Sequence, residues 1–275
     1  MPKVIATDLD GTLFYPKDKK NIISKDYLFF LQSFIDNGGE LVLISGRSFN
    51  YCKKVIDVIG RKVSVVAYNG ACIYDGEKLI RQNVLDNATI KQMIDEVNSA
   101  YKVPGIFLMT EEGIAVHFKH DTKLFRWLAT LYYKNQKNLG EKIFDGEQAY
   151  IDELDHGTVY KFMYFFGLGK KNWARAKEAT TILRNEYENL ECNWSDTVIE
   201  VTSGGVYKAE GLKFLCDHLG YNKDDVYVVG DSGNDISMFK AFPEHSFCMA
   251  HSHPAVKKHA KYIIDKFKDL SRYIS

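Results

Sequence analysis

At 275 residues the chain is longer than one hydrophobic core usually grows, which points to two domains. Apolar residues at 45% and charged residues at 26% fit a globular protein, and 36 basic side chains balance 36 acidic ones, so no global field directs the chain to nucleic acid or an anionic membrane. No apolar run approaches the roughly 20 residues of a membrane helix, no signal peptide is readable, and the scattered Cys52, Cys72, Cys192, Cys216 and Cys248 form no Cys-x-x-Cys pair; reduced core thiols, no zinc site and a cytoplasmic location are expected.

Lys3 to Thr7 reads as a short buried strand around Val4-Ile5-Ala6. It runs into Asp8-Leu9-Asp10-Gly11-Thr12, where two carboxylates two residues apart precede a turn-forming glycine. Ser24 is placed to cap a helix on which Tyr27, Leu28, Leu31, Phe34 and Ile35 recur at helical spacing until Gly38-Gly39. Leu41 to Ile44 is a second strand, leading into Ser45-Gly46-Arg47, and a helix follows from about Ser48 to Ile59. Val63 to Ala67 is a third, ending at Asn69-Gly70, with a hairpin through Ile73 and Leu79. Strands and helices alternating at this length predict βαβ units and a mainly parallel sheet.

From about Asp86 to Asn189 the rhythm changes. Helical stretches (Ala88 to Ala100, Asp121 to Tyr133, Asn172 to Tyr187) flank alternating segments at Ile114 to Phe118 and Val159 to Phe165, the pattern of an α+β insert. The run Phe162 to Phe166 reads as core packing, Trp127, Tyr132 and Tyr133 as one helix face, and His117, Lys119, His120 and Asp121 as surface. The α/β rhythm then returns: strand Val198 to Val201, helix Tyr207 to Leu219, strand Val226 to Val229, a helix from Asn234, and short strands at Phe247 to Met249 and Tyr262 to Ile264. Both crossings between core and insert are expected near residues 83 and 190. The sequence carries no signal for an oligomeric state.

Four loops, each after an expected core strand, carry the chemistry. They hold Asp8, Asp10 and Thr12; Ser45, Gly46 and Arg47; Lys208; and Gly230-Asp231-Ser232-Gly233-Asn234-Asp235. Ligands in open α/β sheets bind beyond the carboxyl ends of the strands, so these loops converge on one edge. Carboxylates crowded there raise each other's pKa or require a cation, and Mg²⁺ suits one or two carboxylates with waters and a phosphate. A lysine and a Ser-Gly backbone suit phosphate oxygens. One aspartate can then attack phosphorus, and a second can move the proton. Each residue also has a plainer reading: a turn for Asp8 and Asp10, helix caps for Ser45, Asp231 and Asp235, a solvated helix position for Lys208, and a surface ion pair for Arg47.

With those four loops in order, the chain resembles the haloacid dehalogenase (HAD) superfamily of phosphatases, and within it the Cof-type branch with a large C2-type cap inserted after the third core strand. The resemblance implies an α/β fold, a Rossmann-like parallel sheet core with helices on both faces, plus an inserted α+β cap domain. The core would comprise residues 1–83 and 190–275, and the cap 84–189. It implies Asp8 as nucleophile and metal ligand, Asp10 as general acid/base ligating through its carbonyl, and Thr12 as support for Asp10. Ser45 and Gly46 would hold the phosphoryl group, Lys208 would neutralise Asp8 and the phosphate, and Asp231 would complete the Mg²⁺ sphere. Asn234 and Asp235 would orient its waters or Lys208, Asp235 being counted with the metal residues. Arg47, Asn69, Gly70 and Asn234 would touch phosphate or substrate.

Two positions depart from the branch. Ala209 replaces a usual glycine, and His251-Ser252-His253-Pro254 replaces a Gly-Asn-Ala turn. Exposed loop positions are expected for His251 and His253, with His251 a further donor if that turn closes the site. The function implied is a Mg²⁺-dependent phosphatase of small phosphorylated metabolites, sugar phosphates first, then nucleotides or pyridoxal phosphate, through an aspartyl-phosphate intermediate. A phosphotransferase or mutase on the same core, and a non-catalytic sensor of a phosphorylated ligand, are the alternatives; residues 86 to 189 carry no motif that translates into ligand groups.

Overall fold

The computed structural model describes residues 2–17, 20–118, 141–195 and 197–274. The helix expected over residues 121–133, with Trp127, Tyr132 and Tyr133, and the surface positions Lys119, His120 and Asp121 lie outside these residues. The described chain forms two compact units, one of Met1–Gln82 with Tyr207–Ser275 and one of Asn83–Val206.

The first unit opens with β1 (Val4–Thr7), apolar and buried throughout. Helix α1 (Lys25–Asp36) starts at Ser24, whose hydroxyl accepts the Tyr27 amide at 3.4 Å, and it buries Tyr27 and Leu31. Next come β2 (Glu40–Ile44) and α2 (Phe49–Ile59), which Ser48 caps by accepting the Tyr51 amide at 3.1 Å. Strand β3 (Ser64–Ala67) leads to the hairpin β4 (Cys72–Asp75) and β5 (Lys78–Gln82).

The second unit contains α3 (Asn87–Tyr101), β6 (Gly105–Thr110), β7 (Ile114–Phe118), β8 (Ile143–Asp145), α4 (Glu147–His156), β9 (Val159–Phe165), α5 (Lys170–Glu186), β10 (Leu190–Ser195) and β11 (Val198–Ser203). Its sheet runs β10-β11-β9-β6-β7-β8, antiparallel apart from the β7–β8 pair. Period-two alternation sends Phe162 and Tyr164 into a core with Leu108, Ile199 and Val201, against Ile90, Met93 and Leu183 of the helices. The expected core packing of the Phe162 to Phe166 run is therefore observed.

The chain returns to the first unit through α6 (Lys208–Leu219), β12 (Val226–Gly230), α7 (Ile236–Ala241), β13 (Ser246–Met249), α8 (Pro254–Lys257) and β14 (Tyr262–Ile264). The sheet order is β14-β13-β12-β1-β2-β3-β4-β5, parallel from β14 to β3. Val4, Ala6, Val42, Ile44 and Val228 pack against α6 and α7 on one face. The intervening Ile5, Leu41, Leu43 and Val65 are equally buried on the other, where α1 and α2 contact β2 and β3. A strand covered on both faces has to be apolar throughout, and the uninterrupted runs of β1, β2 and β12 follow from that.

One expected element belongs elsewhere. Val198 to Val201 is not a core strand but part of β11, paired antiparallel with β10 and β9 in the second sheet. Its burial alternates, with Ile199 and Val201 buried and Val198 and Glu200 half-buried. Glu200 is the residue that distinguishes this one-sided strand from the fully buried strands of the parallel sheet. The return crossing therefore falls between Val206 and Tyr207, not near residue 190.

Candidate active site

Parallel register brings the chemistry together. Thr7 of β1 stands beside Leu43 of β2 and Val229 of β12, so the residues that follow each strand emerge at one edge. Asp8 extends the ladder, its amide donating to the Val229 carbonyl at 3.0 Å, and its carboxylate is buried. Lys208, 1% exposed, donates from Nζ to Asp8 Oδ1 at 2.6 Å and to Asp235 Oδ1 at 2.7 Å. Asp235 Oδ2 accepts the amides of Asp231 and Ser232, both at 2.9 Å. Both oxygens of Asp235 are thus engaged with the protein itself, and Asp235 ties Lys208 to the turn that carries Asp231.

Gly11 makes the close approach of the first loop possible. Its φ is +83°, and a Cβ there would stand 2.4 Å from Asp231 Oδ2. Thr12 Oγ1 donates to Asp231 Oδ1 at 3.1 Å, so the support expected for Asp10 goes to Asp231 instead. Asp10 turns outward: its side chain is half exposed and meets Arg47 Nε at 3.0 Å. Arg47 is 14% exposed, with its guanidinium 5.2 Å from the Tyr51 ring centroid, so it is not the surface pair of its plainer reading.

Asp8, Asp231 and Asp235 each offer a carboxylate oxygen, all within 4.8 Å of one another, and could hold a metal ion. Burial pushes the Asp8 carboxyl up; Lys208 opposes this, Asp235 adds to it, and the net direction is upward. Burial, reinforced by Asp235, pushes Asp231 up to about 6 against the pull of Thr12 and Lys208. Burial alone would lower Lys208, but Asp235 and Asp8 outweigh it and hold the ammonium charged. Three carboxylates against one ammonium leave excess negative charge in a dry site, and a hard divalent cation with oxygen ligands fits that donor set.

Ser45 is not the helix cap; that is Ser48. The Ser45 hydroxyl accepts the Arg47 amide at 3.2 Å, its carbonyl accepts the Asn69 amide at 2.9 Å, and its own amide donates to Val66 at 2.9 Å. Gly46 lies between these anchored neighbours in the same turn. Tyr68, Asn69 and Gly70 carry φ values of +50°, +58° and +113° in succession. A Cβ on Gly70 would stand 2.7 Å from the Tyr207 carbonyl, so this turn seats the start of α6 and with it Lys208. Asn234 Nδ2 donates to Asn69 Oδ1 at 3.3 Å, linking the Asn69-Gly70 turn to the loop that carries Asp231. Asp8, Asp10, Thr12, Ser45, Arg47, Asn69, Lys208, Asp231, Asn234 and Asp235 are therefore joined, directly or through one neighbour, in one network.

The two loop histidines separate. His253 is a cap, its Nδ1 accepting the Ala255 amide at 3.1 Å. His251 faces the site, with Nε2 3.8 Å from Asp231 Oδ2 and its ring stacked on Tyr15 at 3.7 Å. Tyr15 was not among the expected site residues; its place in sequence, five residues beyond Asp10, was the available signal. All five cysteines are buried and none is in a disulfide. Among the described residues no helix is long and apolar enough to cross a membrane.

Comparison with known proteins agrees with this geometry. The sequence model of the haloacid dehalogenase-like hydrolases matches residues 5–271. The chain is 25% identical to the 5-amino-6-(5-phospho-D-ribitylamino)uracil phosphatase YwtE of Bacillus subtilis, over 95% of this chain and 92% of that one. It is 23% identical to the pyridoxal phosphate phosphatase YbhA of Escherichia coli, over 95% and 93% respectively. A HAD-superfamily phosphatase of Bacteroides thetaiotaomicron shares the fold with a TM-score of 0.78 at 22% identity, covering 99% of this chain and 95% of that one. The chain belongs to the haloacid dehalogenase-like hydrolase family, Cof-type, and is an enzyme of its phosphatase kind.

Proposed function

We propose that the protein is a Mg²⁺-dependent phosphatase that hydrolyses small phosphomonoesters through an aspartyl phosphate on Asp8. The observation that carries this reading is the buried Asp8–Lys208–Asp235 chain, with contacts of 2.6 and 2.7 Å, beside the half-buried Asp231. A carboxylate held by a fixed ammonium in a dry site is poised as a nucleophile, and the same ammonium meets the charge that develops on the phosphoryl oxygens.

In the first step an Asp8 oxygen bonds to phosphorus, the ester P–O bond breaks, and the leaving oxygen takes a proton from Asp10. In the second, water attacks the phosphoryl group, Asp10 takes the water's proton, the Asp8–phosphorus bond breaks and inorganic phosphate departs. Arg47 fixes the Asp10 side chain between these transfers. Ser45, the Gly46 amide, Asn69, Gly70 and Asn234 border the phosphoryl position and orient it. Mg²⁺, when bound, neutralises charge on the phosphoryl group; the Asp8 and Asp231 carboxylates and the Asp10 carbonyl would hold it. Asp235 stands beside them, holding Lys208 and the Asp231 turn.

The second unit, residues 83–206, is assigned as the cap that supplies substrate selectivity and excludes water. The substrate class is small phosphorylated metabolites, sugar phosphates first. Two relatives are named for phosphatases of a phosphoribityl compound and of pyridoxal phosphate, which supports the class. The test is phosphate release from a panel of sugar phosphates, nucleotides and pyridoxal phosphate, with Mg²⁺ and with EDTA. Release that EDTA abolishes is expected; no release from any member would overturn the hydrolase reading.

A further inference from the structure

His251 occupies a position that none of the proposed catalytic steps uses, yet it is built into the site. Its Nε2 lies 3.8 Å from Asp231 Oδ2, the oxygen left after Thr12 takes Oδ1 at 3.1 Å. The ring is also fixed from a second direction, where Tyr15 stacks on it at 3.7 Å with planes 28° apart. The turn beneath it is also tied down. The Ala250 amide donates to Ile264 at 2.8 Å, Ser252 donates to Met249 at 3.0 Å, and Lys257 Nζ donates to the Ala250 carbonyl at 3.0 Å. An imidazole held this firmly is no freely rotating surface side chain.

We infer that His251, stacked against Tyr15, is a positioning residue for Asp231 and sets the affinity of the site for its divalent cation. The inference rests on the metal-binding reading above. Thr12 alone would leave the Asp231 carboxylate free to swing about its held oxygen. An imidazole N–H facing the second oxygen limits that swing and presents the carboxylate in one orientation. Partners that orient a ligating group from outside commonly govern metal affinity by about 10- to 100-fold. Asparagine can offer an N–H from a similar distance, so the role belongs to the donor and its fixed place rather than to the ring's charge. Tyr15 contributes through its face, so a phenyl ring serves as well as a phenol.

The test is Mn²⁺ and Mg²⁺ binding to the purified protein by titration calorimetry, with no substrate present. His251→Ala should weaken binding by about tenfold, His251→Asn should recover most of it, Tyr15→Phe should leave it unchanged and Tyr15→Ala should weaken it. Metal-free melting temperatures of the four variants should stay close to wild type, because both residues lie on the surface side of the site. Wild-type affinity in His251→Ala would overturn this inference alone. Absence of binding to the unsubstituted protein would overturn the metal reading with it, and a weakening in His251→Ala that His251→Asn does not recover would overturn the donor role.

Discussion

Lys208 occupies the first turn of a helix, where a cation opposes the helix dipole, and it is nonetheless almost wholly buried between Asp8 and Asp235. Such a placement is unfavourable for folding unless both partners are present. Lys208→Met removes the ammonium and leaves two buried carboxylates facing each other, so a loss of about 3–5 kcal/mol in denaturant unfolding is expected. A loss near zero would mean that the pair is not formed. Asp8→Asn should behave differently: Lys208 keeps Asp235 at 2.7 Å, so stability stays near wild type while phosphate release is abolished. Gly11→Ala places a methyl against Asp231 on a left-handed backbone, and should weaken both metal binding and turnover, read by calorimetry and phosphate release. The identities of Asp8, Asp10, Ser45, Lys208 and Asp231 were legible because each sits at a strand end or a helix start in a recognisable string. Their pairings were not. Thr12 serves Asp231, 219 residues away, and no local pattern encodes which of two nearby carboxylates a hydroxyl will reach.

At the scale of elements, uninterrupted apolar runs marked the parallel strands well, since burial on both faces leaves no room for a polar residue. The same run length misled at Val198 to Val201, because four residues do not state which sheet a strand will join; that is decided by its antiparallel partners β9 and β10. The three successive left-handed residues at Tyr68, Asn69 and Gly70 were also invisible, apart from the Asn-Gly pair, because the seat they make for α6 is a tertiary contact. In the second unit, Phe162 lies fully buried in the core between sheet and helices. Phe162→Ala should destabilise that unit by roughly 3–5 kcal/mol, seen as early loss of amide-exchange protection in β6 and β9. Unchanged protection there would show that the strand does not carry the unit's core.

For the whole molecule, the balance of charge and the placement of three carboxylates around one ammonium couple folding to cation and proton alike. Asp231 is held at about 6, above the ordinary aspartate value, so between the two values the folded protein retains a proton that the unfolded chain has lost. Its contribution to stability is therefore present at low pH and is lost as pH rises through about 6. A bound divalent cation requires the ionised carboxylate, so the Mg²⁺-induced rise in melting temperature should be small near pH ~5 and reach a plateau above about 7. Asp231→Asn should flatten that profile; an Mg²⁺ effect independent of pH would contradict the role given to Asp231.

The covalent step admits a direct chemical trap. Acid quench during turnover with Mg²⁺ and a phosphomonoester, followed by borohydride reduction and peptide mass spectrometry, converts an aspartyl phosphate into homoserine. Homoserine at position 8, dependent on substrate and absent from Asp8→Asn, is the expected result. Unmodified Asp8 throughout steady phosphate release, or homoserine at any other aspartate, would contradict nucleophilic catalysis by Asp8.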